Sequence, residues 1–209
     1  MLFCQQRWME LTDRLRMGSD DYSEEYQKLQ SAYGEKHRAY HTVQHISECL
    51  EKLDWVSAGD NRDSLARIEM ALWYHDVVYS PRGTNNERHS ADLCAQFLHQ
   101  AGVSAAVKEV VYNMILATRH SGRPGSAEEQ LVVDIDLSIL GADENRFTEY
   151  EAQIRREYKW VPWFMYKNKR RELLQGFLNR PRLFSTKSFY DAYEERARNN
   201  ILGSILRLS

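Results

Sequence analysis

The residues best equipped for chemistry in this chain are an imidazole and a carboxylate placed side by side, His75 and Asp76. Consecutive helical residues are rotated by about 100°, so both side chains can lean toward one ion in the groove between neighbouring helices. A mixed imidazole and carboxylate site suits Mn²⁺, Fe²⁺, Co²⁺ or Zn²⁺ better than Ca²⁺. Of the seven histidines, five (His41, His45, His75, His89 and His120) lie near acidic residues or near expected helix ends, where side chains converge. The cysteines, Cys4, Cys49 and Cys94, form no CxxC pair. That argues against a disulfide framework or a thiolate zinc site, and for reduced core thiols.

Positioning such a pair requires helices, and the apolar periodicity supplies them. The pattern predicts an all-α chain of roughly nine helices, with few of the two-residue alternations that mark half-buried strands. Leu2, Trp8, Leu11 and Leu15 outline the first helix, and Ser23 with Glu24 and Glu25 opens a second that ends near Gly34. Thr42 is a natural cap for a third, through Ile46, Leu50 and Leu53. Asp63 or Ser64 starts a fourth that runs into His75 and Asp76 before SPRG stops it. Asn86 begins a fifth and Ser104 a sixth. The β-branched run QLVVDIDLSILG fits a buried strand or a buried helix by period alone, and its helical context selects helix. An amphipathic helix through Phe147, Tyr150, Ile154 and Tyr158, the aromatic break WVPWF, and two further helices complete the pattern. We expect one domain over residues 1–209, with 143–209 as a C-terminal helical subregion packed on the core.

Three segments, YHTVQHISECL, ALWYHDVVYSP and VVDIDLSILG, together resemble the signature of the HD superfamily of metal-dependent phosphohydrolases: a His, a His-Asp pair and a distal Asp, all on helices. The similarity extends to a bacterial branch of predicted HD phosphohydrolases through the YHxxxH opening, Asn86, Glu87 and Ser90, the DxDLxILG close, and Ala197, Arg198 and Asn200. The resemblance implies an HD-type helical bundle with metal ligands at His45, His75, Asp76 and Asp136. Asp134 lies two residues before Asp136, and the sequence leaves open which of the two ligates. The implied cofactor is one divalent transition metal (Mn, Fe, Co or Zn, with Mg admissible), whose bound water attacks a phosphoester. Glu87 and Asp134 are the candidates for proton transfer, and His41 and His120 for substrate contacts. Some relatives bind a second ion between the HD pair and the distal Asp. His89, His99 and His120 lie in that interval, but a mononuclear site is the expectation.

Charge narrows the partners. Against 30 Asp and Glu stand 28 Lys and Arg, so nothing global marks a nucleic-acid polymer or an anionic membrane as partner. Residues 155–182 are locally basic. A solvated helix face is the ordinary explanation, while Arg155 and Arg170 are the candidate phosphate contacts. The expected partner is a small phosphorylated molecule such as a nucleotide, and a homo-oligomer is compatible with everything above. The absence of an apolar leader or of a long apolar run points to a cytoplasmic protein. Two rivals accompany the phosphohydrolase: an HD-type di-iron oxygenase, and a non-catalytic module that keeps its metal to sense a ligand.

Overall fold

In the computed structural model, which describes residues 2–18, 21–57 and 62–208, the chain is all-helical. In order, α1 spans Gln5–Arg14, α2 Ser23–Tyr33, α3 Val43–Val56, α4 Arg62–Tyr74, α5 Asn86–Gln100, α6 Ala105–Ala117, α7 Ala127–Leu137, α8 Glu144–Glu157, α9 Trp163–Leu178 and α10 Lys187–Arg207. A short 3-10 turn, Ser138–Gly141, follows α7, so the ambiguous QLVVDIDLSILG segment is helical throughout. None of the described helices is long and apolar enough to cross a membrane. The chain divides into two compact units, residues 1–133 and 134–209, with the boundary inside α7.

In the first unit α4 is the central element, packed against α1, α3, α5 and α6. Its sequence explains the position: Ala66 and every residue from Ile68 to Tyr74 are buried, and a helix apolar on all sides is stable only when surrounded. Glu69 is the polar exception. It is 2% exposed, and its carboxylate accepts from Arg7 at 2.7 Å and Arg14 at 2.5 Å, both on α1. Arg7 also pairs with Asp54 of α3. The buried charge is therefore paired twice and pins three helices together. Caps follow the expected chemistry, since Thr42 Oγ1 accepts from Gln44 N and Ser104 Oγ from Val107 N.

In the second unit α10 runs against α9 and the 3-10 turn. Gly141 permits that approach, because a Cβ there would lie 2.8 Å from the Tyr193 carbonyl oxygen. Asn200 Nδ2 donates to the carbonyls of Leu140 and Ala142, both at 2.9 Å. Arg198 donates to the carbonyls of Leu178, Arg180 and Pro181 and to Glu194. Arg198 and Asn200 thus tie the last helix to the loops on either side of it.

Candidate metal centre

The central helix stops just before the residues of interest. The pattern predicted His75 and Asp76 within a helix, but α4 ends at Tyr74 and the pair occupies the turn that follows. His75 N still bonds Ala71 O at 2.9 Å, and Val77 N bonds Tyr74 O in a tighter turn. The reason lies in what surrounds this end. A helix terminus leaves carbonyls without intrahelical partners, and side chains from three other segments take them. Tyr33 Oη donates to Trp73 O at 2.8 Å. Arg38 donates through Nη1 to Asp76 O (2.7 Å) and His41 O (3.1 Å), and through Nη2 to Val77 O (2.8 Å). His37 bonds Tyr79 O, and Ser90 of α5 holds both the N–H and the carbonyl of Val78. Asn86 closes the next loop by bonding both backbone groups of Ser80.

Against this fixed turn α3 brings His45, on a face shared with Ile46, Cys49, Leu50 and Leu53, all buried. His45 and His75 are 2% and 1% exposed. Their Nε2 atoms lie 3.1 Å apart, and Asp76 Oδ2 lies 3.1 Å from His75 Nε2 and 3.4 Å from His45 Nε2. His75 Nδ1 donates to Leu72 O at 3.0 Å, which turns Nε2 into the cluster. Two imidazole nitrogens and a carboxylate oxygen therefore converge. Such a set is held together either by protons on the imidazole nitrogens or by a metal ion. Bonds of about 2.1 Å place neighbouring ligands about 3.0 Å apart at right angles and about 3.4 Å apart at the tetrahedral angle, which brackets the observed spacings. The negative end of the α4 dipole adds a further pull on positive charge.

Cys49 also belongs here. Its Sγ lies 3.7 Å from His45 Nδ1 and 3.8 Å from His45 Nε2, and His45, Cys49 and His75 form a buried group whose ligand atoms all lie within 4.8 Å of one another. Cys49 is a free, buried thiol, as expected, and the structure adds that it stands beside His45. The signal was the four-residue spacing from His45, which puts both on one helix face.

The electrostatics hold Asp76 in its ionised form. Burial pushes the Asp76 carboxyl up, but the charges of His75 and His41 and hydrogen bonds from His45 and His75 outweigh it and hold the group well below the usual carboxylate range. His41 is thus close enough to act on the cluster. Its ring stacks on Tyr79 at 4.0 Å and meets the His45 ring edge-on at 6.1 Å.

The other nominated residues have varied fates. Glu87 is half-buried in the first turn of α5, one turn before Ser90, which grips Val78. His120 follows α6 in a left-handed conformation (φ 55°). His89 and His99 are exposed on α5, and His99 Nδ1 accepts from Lys108. Asp136 is half-buried in the second unit, where the Tyr150 pKa is raised chiefly by burial, with the charge of Asp136 adding to it.

Three residues nominated for chemistry have other work. Asp134 is fully buried and accepts from Ser185 N (2.8 Å) and Thr186 N (2.7 Å), at the start of α10. Arg170 pairs with Glu151, donates to Tyr150 Oη at 2.9 Å and stacks on the Tyr150 ring. Arg155 donates to the carbonyls of Tyr158 and Val161 after α8 and lies over the rings of Trp163 and Tyr166. Each is committed to partners within its own unit, because an ionised group in a protein interior is stable only when paired.

Arg38, with a fully buried side chain, is the residue that the sequence did not reveal. It sits in an irregular segment between α2 and α3, where no spacing singles it out. Compared with known proteins, the chain matches no protein-family model, no curated protein and no solved structure.

Proposed function

We propose that the protein is a metal-dependent phosphohydrolase acting on a small phosphoester such as a nucleotide. The observation that carries this reading is the convergence of His45 Nε2, His75 Nε2 and Asp76 Oδ2 within 3.1–3.4 Å of one another at the end of a buried helix. The order of the surrounding segments, with its resemblance to the HD superfamily, supplies the reaction class.

His45, His75 and Asp76 would hold one divalent transition ion. When bound, such an ion polarises a phosphoryl oxygen and brings the pKa of a water toward neutrality. The chain's own groups do the rest. The Glu87 carboxylate, on the α5 face that grips the HD turn through Ser90, accepts the proton as water oxygen bonds to phosphorus and the ester P–O bond breaks. His41, beside Asp76, donates to a phosphoryl oxygen. Arg38 touches no substrate and is a positioning residue, since it fixes the carbonyls on both sides of the site.

Metal analysis and turnover test the reading together. Wild-type protein should take up Mn²⁺, Co²⁺ or Zn²⁺ and release phosphate or a nucleoside from a phosphoester panel without oxygen. His75→Ala and Asp76→Ala, at equal folding, should lose most of the metal and roughly 1000-fold or more in turnover, as expected for several kcal/mol of lost transition-state stabilisation. Full metal content in both variants overturns the ligand set. Two irons per chain with oxygen consumption, and no anaerobic hydrolysis, would replace the hydrolase with the oxygenase.

A further inference from the structure

The His45–His75 edge is shared by two different donor sets. On one side Asp76 Oδ2 completes two nitrogens and an oxygen, and the Asp76 side chain is 16% exposed. On the other side Cys49 Sγ completes two nitrogens and a sulfur, and all three residues are at most 2% exposed. Cys49 Sγ lies 3.8 Å from His45 Nε2 and 3.7 Å from His45 Nδ1, beside the ring between the two nitrogens, and a turn of the short Cys49 side chain would carry the sulfur to the Nε2 edge, where bonds of about 2.1 Å to nitrogen and 2.3 Å to sulfur set N and S about 3.6 Å apart at the tetrahedral angle.

We propose that Cys49 is an alternative ligand that makes this centre metal-selective: hard Mn²⁺ takes the Asp76 side, whereas thiophilic Zn²⁺ and Co²⁺ are drawn to Cys49. Soft thiolate favours zinc over manganese, and carboxylate favours manganese. On coordination the Cys49 S–H bond breaks, the proton passes to solvent, and the sulfur electron pair forms the bond to the ion. The buried sulfur side offers a phosphoester less room than the Asp76 side, so a zinc-loaded protein would be a held, slower form of the manganese-loaded one. The inference rests on the proposed metal centre and adds to it the identity of an ion that slows the centre.

Cobalt is the probe. Under reducing conditions, metal-free protein titrated with Co²⁺ should develop a sulfur-to-cobalt charge-transfer band. The band should vanish in Cys49→Ser and persist in Cys4→Ser and Cys94→Ser. Zinc affinity should fall roughly tenfold or more in Cys49→Ser while manganese affinity stays within about twofold. X-ray absorption on zinc-loaded wild type reads the same contact without any substitution, as a sulfur neighbour at about 2.3 Å. Cobalt bound without a charge-transfer band, or zinc without a sulfur neighbour, overturns the role of Cys49 and leaves the phosphohydrolase standing. Failure of wild type to bind either Co²⁺ or Mn²⁺ overturns both.

Discussion

Two buried polar clusters, one in each unit, are built on opposite rules. In the second unit the backbone amides of residues 183–186 are all taken by two carboxylates: Glu194 accepts from Leu183 and Phe184, and Asp134 from Ser185 and Thr186. Arg198 then balances Glu194. Each of these four backbone donors meets a carboxylate. In the first unit, satisfied hydrogen bonds surround the HD turn, and at its centre two imidazole nitrogens and a carboxylate oxygen lie within 3.1–3.4 Å of one another. Backbone donors matched to carboxylates hold a fold, whereas imidazole and carboxylate groups that converge on one another form the kind of donor set a metal site uses.

The widest separation between the clusters should come from truncating one member of each. Glu194→Ala leaves two amides and Arg198 without their acceptor in a buried place and should cost about 3 kcal/mol of stability. The metal content of the folded fraction should stay at the wild-type level, read by denaturant titration alongside metal analysis. His75→Ala should show the reverse, with metal lost. If Glu194→Ala also strips the metal, the two clusters are not independent and the distinction fails.

Within the first unit, Glu87→Gln separates proton transfer from ligation. Turnover should fall roughly 100-fold or more, the range for a positioned general base, with metal content unchanged. An unaltered rate would return Glu87 to a first-turn carboxylate that complements the α5 dipole.

Arg38→Lys tests whether the frame matters as well as the ligands. Lysine keeps the charge but cannot hold the carbonyls of His41, Asp76 and Val77 together. Metal affinity should drop about tenfold, measured by competition with a chelator. Wild-type affinity in this variant would show that α4 alone places the HD pair.

The smallest effect concerns pH in the satisfied cluster. Burial pushes the Asp134 carboxyl above its ordinary range, against the pull of amide bonds from Ser185 and Thr186. A carboxyl raised in the folded state contributes stability that is full below the unfolded value of about 3.9 and is lost as pH rises through the folded value. Relative to Asp134→Asn, wild type should therefore lose stability as pH rises through that window, a trend that paired unfolding curves can read. The opposite trend would mean that the amide bonds outweigh burial.

Much of this molecule was legible in its sequence because helices announce themselves locally. Thr42 and Ser104 are caps, Asn86 starts α5, and the run before Tyr74 had to be a buried helix, since a side chain's place on a helix depends only on residues within one or two turns. The His75–Asp76 pair was equally plain. What the sequence could not reveal depends on contacts between segments distant along the chain. Arg38 reaches Asp76 and Val77 across more than thirty-five positions, and Asp134 reaches Ser185 and Thr186 across more than fifty. No period or spacing encodes such pairs. Local patterning therefore determined that the chain is all-helical and which residue types could bind a metal. Tertiary structure decided that the HD pair sits in a turn beyond the helix, that Cys49 stands beside His45, and that Asp134, Arg155 and Arg170 are held by partners of their own. The physical reason is that burial removes water as a partner, so the folded chain must supply each buried polar group with another one.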